Sequence, residues 1–143
     1  MSMANVLLVD DEVPFVEAMS RRLKKRDISI VTSFSGPEAL DVLEKDRSVE
    51  VAILDVKMPG MDGIETLGEI RKKFPLVEVI MLTGHATVET GIEGMKLGAF
   101  DYLMKPCDMD VLMGKLKEAV AKKRRHEEKI IEARVKEITT RRA

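Results

Sequence analysis

Two textures alternate along the chain. Five short apolar runs recur: "NVLLV" (5–9), "ISIVTSF" (28–34), "VAIL" (51–54), "VEVIML" (77–82) and "FDYLM" (100–104). Each is rich in Val, Ile or Leu. Three lack polar alternation, which predicts strands covered on both faces. Between the runs, apolar residues repeat at helical spacing. Phe15, Met19 and Leu23 lie at i, i+4 and i+8 after Pro14, a residue suited to a first turn. Ala39, Leu40 and Leu43 share a face after "SGPE", whose Ser35 and Glu38 have capping-box spacing. Ile64, Leu67, Ile70 and Phe74 follow Asp62, a good N-cap. Val88, Ile92, Met95 and Ala99 form a fourth stripe. Asp108 opens a fifth helix whose Leu112, Leu116, Ala119 and Val120 face inward. Strand-then-helix, five times over, predicts an α/β fold: parallel strands, right-handed crossovers and helices on both faces of the sheet. In such a sheet ligands bind beyond the carboxyl ends of the strands, so the chemistry belongs there.

Composition narrows the class. The chain has 143 residues, 45% hydrophobic and 34% charged, which suits one globular domain. No apolar run approaches the roughly 20 residues of a membrane span. The start, "MSMANVLLVDDE", lacks the basic region, apolar stretch and cleavage site of a signal peptide. A single cysteine, Cys107, excludes an internal disulfide framework and fits the reducing cytoplasm. One Cys and two His make a zinc site a poor expectation. Charge divides the chain at about residue 120. Residues 1–120 hold 15 Lys and Arg against 21 Asp and Glu, a net −6, whereas residues 121–143 hold 9 against 4, a net +5. A basic tail suits nucleic acid or an acidic partner, but mixed signs favour a solvated helix, and that is the expectation taken here. No nucleic-acid binding is expected of residues 1–120.

The strand ends carry the candidate chemistry. The first run ends in Asp10, Asp11 and Glu12, the third in Asp55, the fourth in Thr83 and the fifth in Lys105. Clustered carboxylates repel, and each has a raised pKa unless a cation offsets the repulsion. An all-oxygen, acidic ligand set suits Mg²⁺. Lys105 offers a point charge and Thr83 a hydroxyl, both suited to phosphoryl oxygens. A carboxylate flanked by metal, Lys and hydroxyl can act as a nucleophile toward phosphorus. Asp10 and Asp11 could also cap the first helix.

These pieces, "VLLVDDE", "AILDVKMPGMDG", "VIMLTGHA" and "GAFDYLMKPCD", resemble a response-regulator receiver domain of two-component signalling over residues 5 to about 120. The resemblance implies a flavodoxin-like, doubly wound five-stranded sheet of order 2-1-3-4-5. It implies that Asp55 accepts a phosphoryl group from a sensor histidine kinase. Asp11, Asp55 and the backbone carbonyl of Lys57 would ligate Mg²⁺, with Asp10 acting through water. Thr83 and Lys105 would hold the phosphoryl oxygens, and Thr83 and Tyr102 would switch. The side chains of Lys57 and His85 would tune the lifetime of the phosphoryl group. Pro106 stands where the family has a cis peptide. The receiver catalyses only its own phosphorylation and autodephosphorylation, so it is not an enzyme on an external substrate. Asp55 and Lys57 also bear on a different class, the Mg²⁺-dependent phosphatases that use an aspartyl phosphate. Many of those carry an Asp two residues after the nucleophile, where this chain has Lys57.

The stretch "TGHATVETGIEGMKLGAFDYLMKP" is most similar to receivers of nitrogen-regulation-type, sigma-54-dependent activators of transcription, which follow the receiver with a helical dimerising linker. No Pro or Gly follows Gly114, so the fifth helix can run to about residue 140. Ile131, Val135 and Ile138 have the spacing of a short coiled-coil seam. The expected division is a receiver at 1–120 and a helical extension or linker at 121–143. The expected partners are the kinase, an output domain or downstream protein, and a second copy. The second copy would pair through the C-terminal helix or through the face of the fourth helix, fifth strand and fifth helix. The competing expectation is a constitutive interaction module that phosphorylation does not switch. Met58 and Met61, in the loop after Asp55, are candidates to meet a partner.

Overall fold

The computed structural model describes residues 2–142, with the Arg142 side chain left out. Met1 and Ala143, the outermost residues of the two expected segments, lie outside the described residues. The elements are β1 (Ala4–Val9), α1 (Val13–Lys24), β2 (Ile28–Ser33), α2 (Gly36–Lys45), β3 (Val51–Leu54), α3 (Gly63–Lys73), β4 (Glu78–Thr83), α4 (Val88–Lys96), β5 (Asp101–Met104) and α5 (Met109–Arg142). All four strand pairs are parallel, and the order is β2-β1-β3-β4-β5. The five apolar runs thus become the five strands, in the expected order.

Side-chain alternation divides the interior into two cores. Leu7, Val9, Ala52, Leu54, Val79 and Met81 face α2 and α3, meeting Ala39, Leu43, Leu67 and Ile70. Their neighbours Val6, Leu8, Val51, Ile53, Ile80 and Leu82 face α1 and α5, meeting Val16, Leu23, Leu112 and Leu116. Strands apolar at every position therefore feed both layers. The helix starts follow their caps. Ser35 accepts from the Glu38 N–H at 3.3 Å and Asp62 from the Glu65 N–H at 2.9 Å. The Glu38 carboxylate closes back on the Phe34 N–H at 3.2 Å, one residue before the capping-box position. Glu12, not Asp10 or Asp11, is the N-cap of α1.

Four expectations change. The stripe on α4 faces outward: Val88, Ile92 and Met95 are 78%, 52% and 48% exposed, and of that stripe only Ala99 is buried. The inner face of α4 is glycine, with Gly91 and Gly94 lying against the Tyr102 ring. On α1, Val16 is buried while Phe15 is only half-buried at the edge of its core. Met58 belongs to the α2–α3 core, and the Met61 thioether packs beside Gly36, so neither is a free loop side chain. The basic start of the extension is not merely solvated. Lys122, Lys123 and Arg124 lie within 4.0 Å of the buried carboxylates Glu50 and Glu78. Helix α5 runs unbroken for 34 residues, about 50 Å at 1.5 Å per residue. Among the described residues, no helix is long and apolar enough to cross a membrane.

Candidate functional site

The carboxyl ends of β1, β3, β4 and β5 converge as expected. Asp10 and Asp55 are 1% and 2% exposed, Thr83 is fully buried, and Asp11 stands in solvent beside them. The backbone sets these positions. The Asp55 N–H donates to the Val9 carbonyl (3.0 Å), the Asp10 N–H to Ser33 (3.2 Å), and the Lys105 N–H to Thr83 (2.8 Å). Sheet pairing thus runs on into the site and fixes the root of each functional side chain. The Lys105–Pro106 peptide is cis, as the resemblance implies.

Lys105 links the acids. Its Nζ lies 2.6 Å from Asp10 Oδ2, 3.3 Å from Glu12 Oε1 and 3.8 Å from Asp55 Oδ2. It also sits 3.9 Å from the centroid of the Phe15 ring, a cation–π contact that explains why Phe15 stays at the rim. Burial pushes the Asp10 carboxyl above its ordinary value, and the Asp55 charge adds to this. The Lys105 ammonium and the Glu12 N–H only partly offset them. Burial alone would lower the Lys105 ammonium. Asp10, with Asp55 and Glu12, outweighs that and holds it above its ordinary value, so it stays charged.

The two oxygens of Asp55 differ. Oδ1 accepts from the Val56 N–H at 2.8 Å. Oδ2 faces Lys105 and makes no other close polar contact among the described residues, so it is the less encumbered of the two oxygens. Ligand atoms of Asp10, Asp11 and Asp55 all lie within 4.8 Å of one another. Three carboxylate oxygens that close, with one ammonium among them, fit a hard divalent cation that supplies the missing positive charge. An open cleft of about 400 Å³ lies over them, lined by Asp11, Glu12, Asp55, Lys57, Met58, Pro59 and His85. Lys57 and His85 are exposed on its wall. Thr83 Oγ1 accepts from the His85 N–H at 3.0 Å, which ties the hydroxyl to the start of the β4–α4 loop.

Tyr102 lies outside the cleft, with its ring on the glycine face of α4. Its hydroxyl is 2.6 Å from Thr90 Oγ1. Thr90 also completes a capping box with Thr87 at the start of α4. The ring is thus bonded to the N-terminus of the helix that follows Thr83.

Sequence reasoning missed Gly63. It is the first residue of α3, and its N–H donates to the Val56 carbonyl at 2.7 Å. A Cβ there would stand 1.9 Å from the Asp55 carbonyl oxygen. Only glycine lets α3 press onto the backbone of Asp55. The signal was a glycine directly after an N-cap aspartate, where a helix has no need of one.

Comparison with known proteins follows this geometry. The sequence pattern of the family described as response regulator receiver domain matches residues 6–117. The transcriptional regulatory protein ZraR of Escherichia coli O157:H7 is 36% identical over 117 residues, which are 82% of this chain and 26% of that protein. A putative NtrX-like response regulator of Rickettsia bellii is 37% identical over 121 residues, 83% of this chain and 25% of that protein. This chain therefore spans about a quarter of the length of these curated relatives. Among solved structures, a response regulator receiver domain protein from Clostridium thermocellum superposes with a TM-score of 0.81 at 34% identity, covering 85% of this chain and 98% of that one. NtrX from Brucella abortus, solved with ADP, gives 0.81 at 29% identity, covering 90% of this chain and 29% of that one.

Proposed function

From the premise that the chain belongs to the response regulator receiver domain family, we propose that Asp55 accepts a phosphoryl group from a sensor histidine kinase in a Mg²⁺-dependent reaction. The observation that carries this reading is the free Oδ2 of a buried Asp55, 3.8 Å from a charged lysine and within one cluster with Asp10 and Asp11. In the transfer, Oδ2 bonds to phosphorus as the phosphorus–nitrogen bond of the donor imidazole breaks, and the imidazole nitrogen takes a proton. Lys105 leaves its Asp10 pair to meet a phosphoryl oxygen, and the Thr83 hydroxyl turns from the His85 N–H to donate to another. Asp10, Asp11, Asp55 and the Lys57 carbonyl would hold Mg²⁺, which supplies charge neutralisation for the transferring group. Lys57 and His85 on the cleft wall govern access by water and by donors, and hence autodephosphorylation. No external substrate is turned over.

The phosphoryl group brings about −1.5 to −2 charge to the site. Moving Thr83 pulls on the loop to α4 and vacates space that the Tyr102 ring can fill, once it releases Thr90. The readout is the face of α4, β5 and α5. It presents exposed Val88, Ile92, Met95, Met104 and Val111, an apolar surface suited to a second copy, an output domain or a downstream protein. The seam of Ile131, Val135 and Ile138 on the extension is a second route to a homodimer, with residues 1–120 as receiver and 121–143 as linker. A cytoplasmic regulator of transcription resembling the nitrogen-regulation-type activators fits this arrangement. The rival, a constitutive interaction module, would use the same exposed apolar face of Val88, Ile92 and Met95 without a switch.

Intact-mass measurement after incubation with acetyl phosphate and Mg²⁺ tests the proposal. The wild-type chain should gain one phosphoryl mass, and Asp55→Asn none. A wild-type chain that gains nothing, or an Asp55→Asn chain that gains as much, overturns it. Molecular mass in solution with and without beryllofluoride then separates a switch from a constitutive module.

A further inference from the structure

At the sheet edge opposite the cleft, two acids are buried. Glu50 precedes β3 and is 6% exposed, and Glu78 opens β4 and is fully buried. The Glu78 N–H donates to the Glu50 carbonyl at 3.1 Å, so the two are neighbours. A buried carboxylate is costly without cationic partners. Here the partners come chiefly from α5 just past Val120. Arg124 grips Glu50 with Nε and Nη2 at 2.9 and 3.1 Å, and Nη2 also reaches the Met3 carbonyl at 3.1 Å. Lys123 adds a charge 3.9 Å from Glu50. Lys122 stands 3.5 Å from Glu78 on one side and Arg71 of α3 4.0 Å on the other. Among the described residues neither Glu78 oxygen has a hydrogen-bond partner, so these two cations are its compensation.

We propose that Glu50 and Glu78 are the fixed half of a latch whose movable half is Lys122, Lys123 and Arg124, and that the latch converts the extension of α5 from a swivelling linker into a rigid arm. The extension has little else to hold it. Among the described residues Val120 is the last buried residue of α5; beyond it Lys123, Glu127 and Ile130 are only half-buried, and the apolar Ile131, Val135 and Ile138 are exposed. A stretch of helix with so little apolar packing is marginal by itself. Bidentate Arg–carboxylate pairing is directional as well as attractive, so it fixes the helix azimuth and not only its distance. Consistent with this, the Glu50 carboxyl is held below its ordinary value: Arg124 first, then the Asn5 N–H and Lys123, outweigh the opposing effect of burial.

Two consequences follow. The seam of Ile131, Val135 and Ile138 leaves the receiver at a set angle, so a second copy paired along it is held in one orientation. The latch is also seated on β3 and β4, the strands whose far ends carry Asp55 and Thr83, about 16 Å away at roughly 3.3 Å per residue. The latch itself rests on contacts within this chain and stands whether or not Asp55 is phosphorylated.

Amide hydrogen exchange on the full chain, without phosphodonor, tests it. In Glu50→Gln/Glu78→Gln, exchange across residues 121–130 should rise at least tenfold, while residues 109–118 and the sheet keep wild-type protection. Wild-type exchange across 121–130 in that variant overturns the latch. If the double variant also loses sheet protection, Arg124→Gln decides: the same local rise over a protected sheet supports the latch, and no rise overturns it. Glu50→Gln and Arg124→Gln should combine to less than the sum of their separate effects, because both break the Arg124–Glu50 pair. Fully additive effects would also overturn it.

Discussion

Gly63→Ala is the sharpest probe of how the site is built. The added Cβ would stand 1.9 Å from the Asp55 carbonyl oxygen, 2.7 Å from Val56 Cα and 2.8 Å from the Asp55 carbonyl carbon. All three are backbone atoms, so no side chain can swing aside. Because real Cβ atoms essentially never come under 3.0 Å, the start of α3 must retreat by roughly 1 Å. That retreat strains the core at about 1–3 kcal/mol. It also weakens the buried bond from the Gly63 N–H to Val56, worth about 1–3 kcal/mol when left unmade. The expected loss is on the order of 3 kcal/mol, or about 10 °C in melting temperature for a chain of this size. The same helix carries its own control. Gly68 has nothing within 4 Å of its would-be Cβ. Gly68→Ala should therefore gain roughly 0.5–1 kcal/mol of helix propensity and melt a few degrees higher. Thermal unfolding followed by circular dichroism at low ionic strength, without Mg²⁺, reads both. A Gly63→Ala chain that melts with wild type, or shifts in the same direction as Gly68→Ala, would refute the claim that α3 is seated on the backbone of Asp55.

Two further predictions bear on charge and on the switch. Burial raises the Asp10 carboxyl above its unfolded value. Such a group favours folding only while protonated, so its contribution is present at low pH and is lost as pH rises through the folded value. At pH 7 Asp10→Asn should therefore melt higher than wild type in the absence of Mg²⁺, with the gap closing toward acid pH, and should lose the stabilisation that added Mg²⁺ gives wild type. A lower melting temperature at pH 7 would contradict this. Thr90→Val removes the 2.6 Å bond to Tyr102 and one arm of the α4 capping box, costing about 1 kcal/mol. Tyr102 is the only tyrosine and there is no tryptophan, so its emission reports the ring directly. That emission should change in Thr90→Val without any phosphodonor, and unchanged emission would mean Thr90 does not hold the ring.

What was legible in the sequence was what a local pattern dictates. Strands buried on both faces must be apolar throughout, so "VAIL" and "NVLLV" announced themselves. A parallel sheet presents its strand ends on one edge, so Asp10, Asp55, Thr83 and Lys105 could be brought together before any geometry was known. The pairing of Arg124 with Glu50 spans 74 positions, and no short-range pattern announces such a contact. A run of Lys and Arg on a helix is usually solvated, and only the burial of its two acidic partners makes this one structural.

Helix α4 shows most clearly where pattern and packing part. Its apolar stripe at i, i+4 and i+7 has the form of an inward face, yet Val88, Ile92 and Met95 point to solvent. The opposite side of the helix faces Tyr102. The ring of Tyr102 occupies the space next to β4 and β5, and side chains larger than hydrogen at 91 and 94 would stand 3.7–3.9 Å from it. The helix turns its glycines toward the aromatic ring, where an added Cβ would make ordinary van der Waals contact, and leaves its large residues uncovered. Each glycine costs roughly 1 kcal/mol of helix stability relative to alanine. Few contacts hold α4 to the body, and its first turn is bonded to the very ring it accommodates. An element this weakly held, with an apolar face already outward, needs only a small change at Thr83 or Tyr102 to shift, whereas α3, seated on the backbone of Asp55 and packed through Leu67 and Ile70, cannot respond in that way. If Asp55 is phosphorylated as proposed, this differential packing makes α4, and not α3, the helix expected to move.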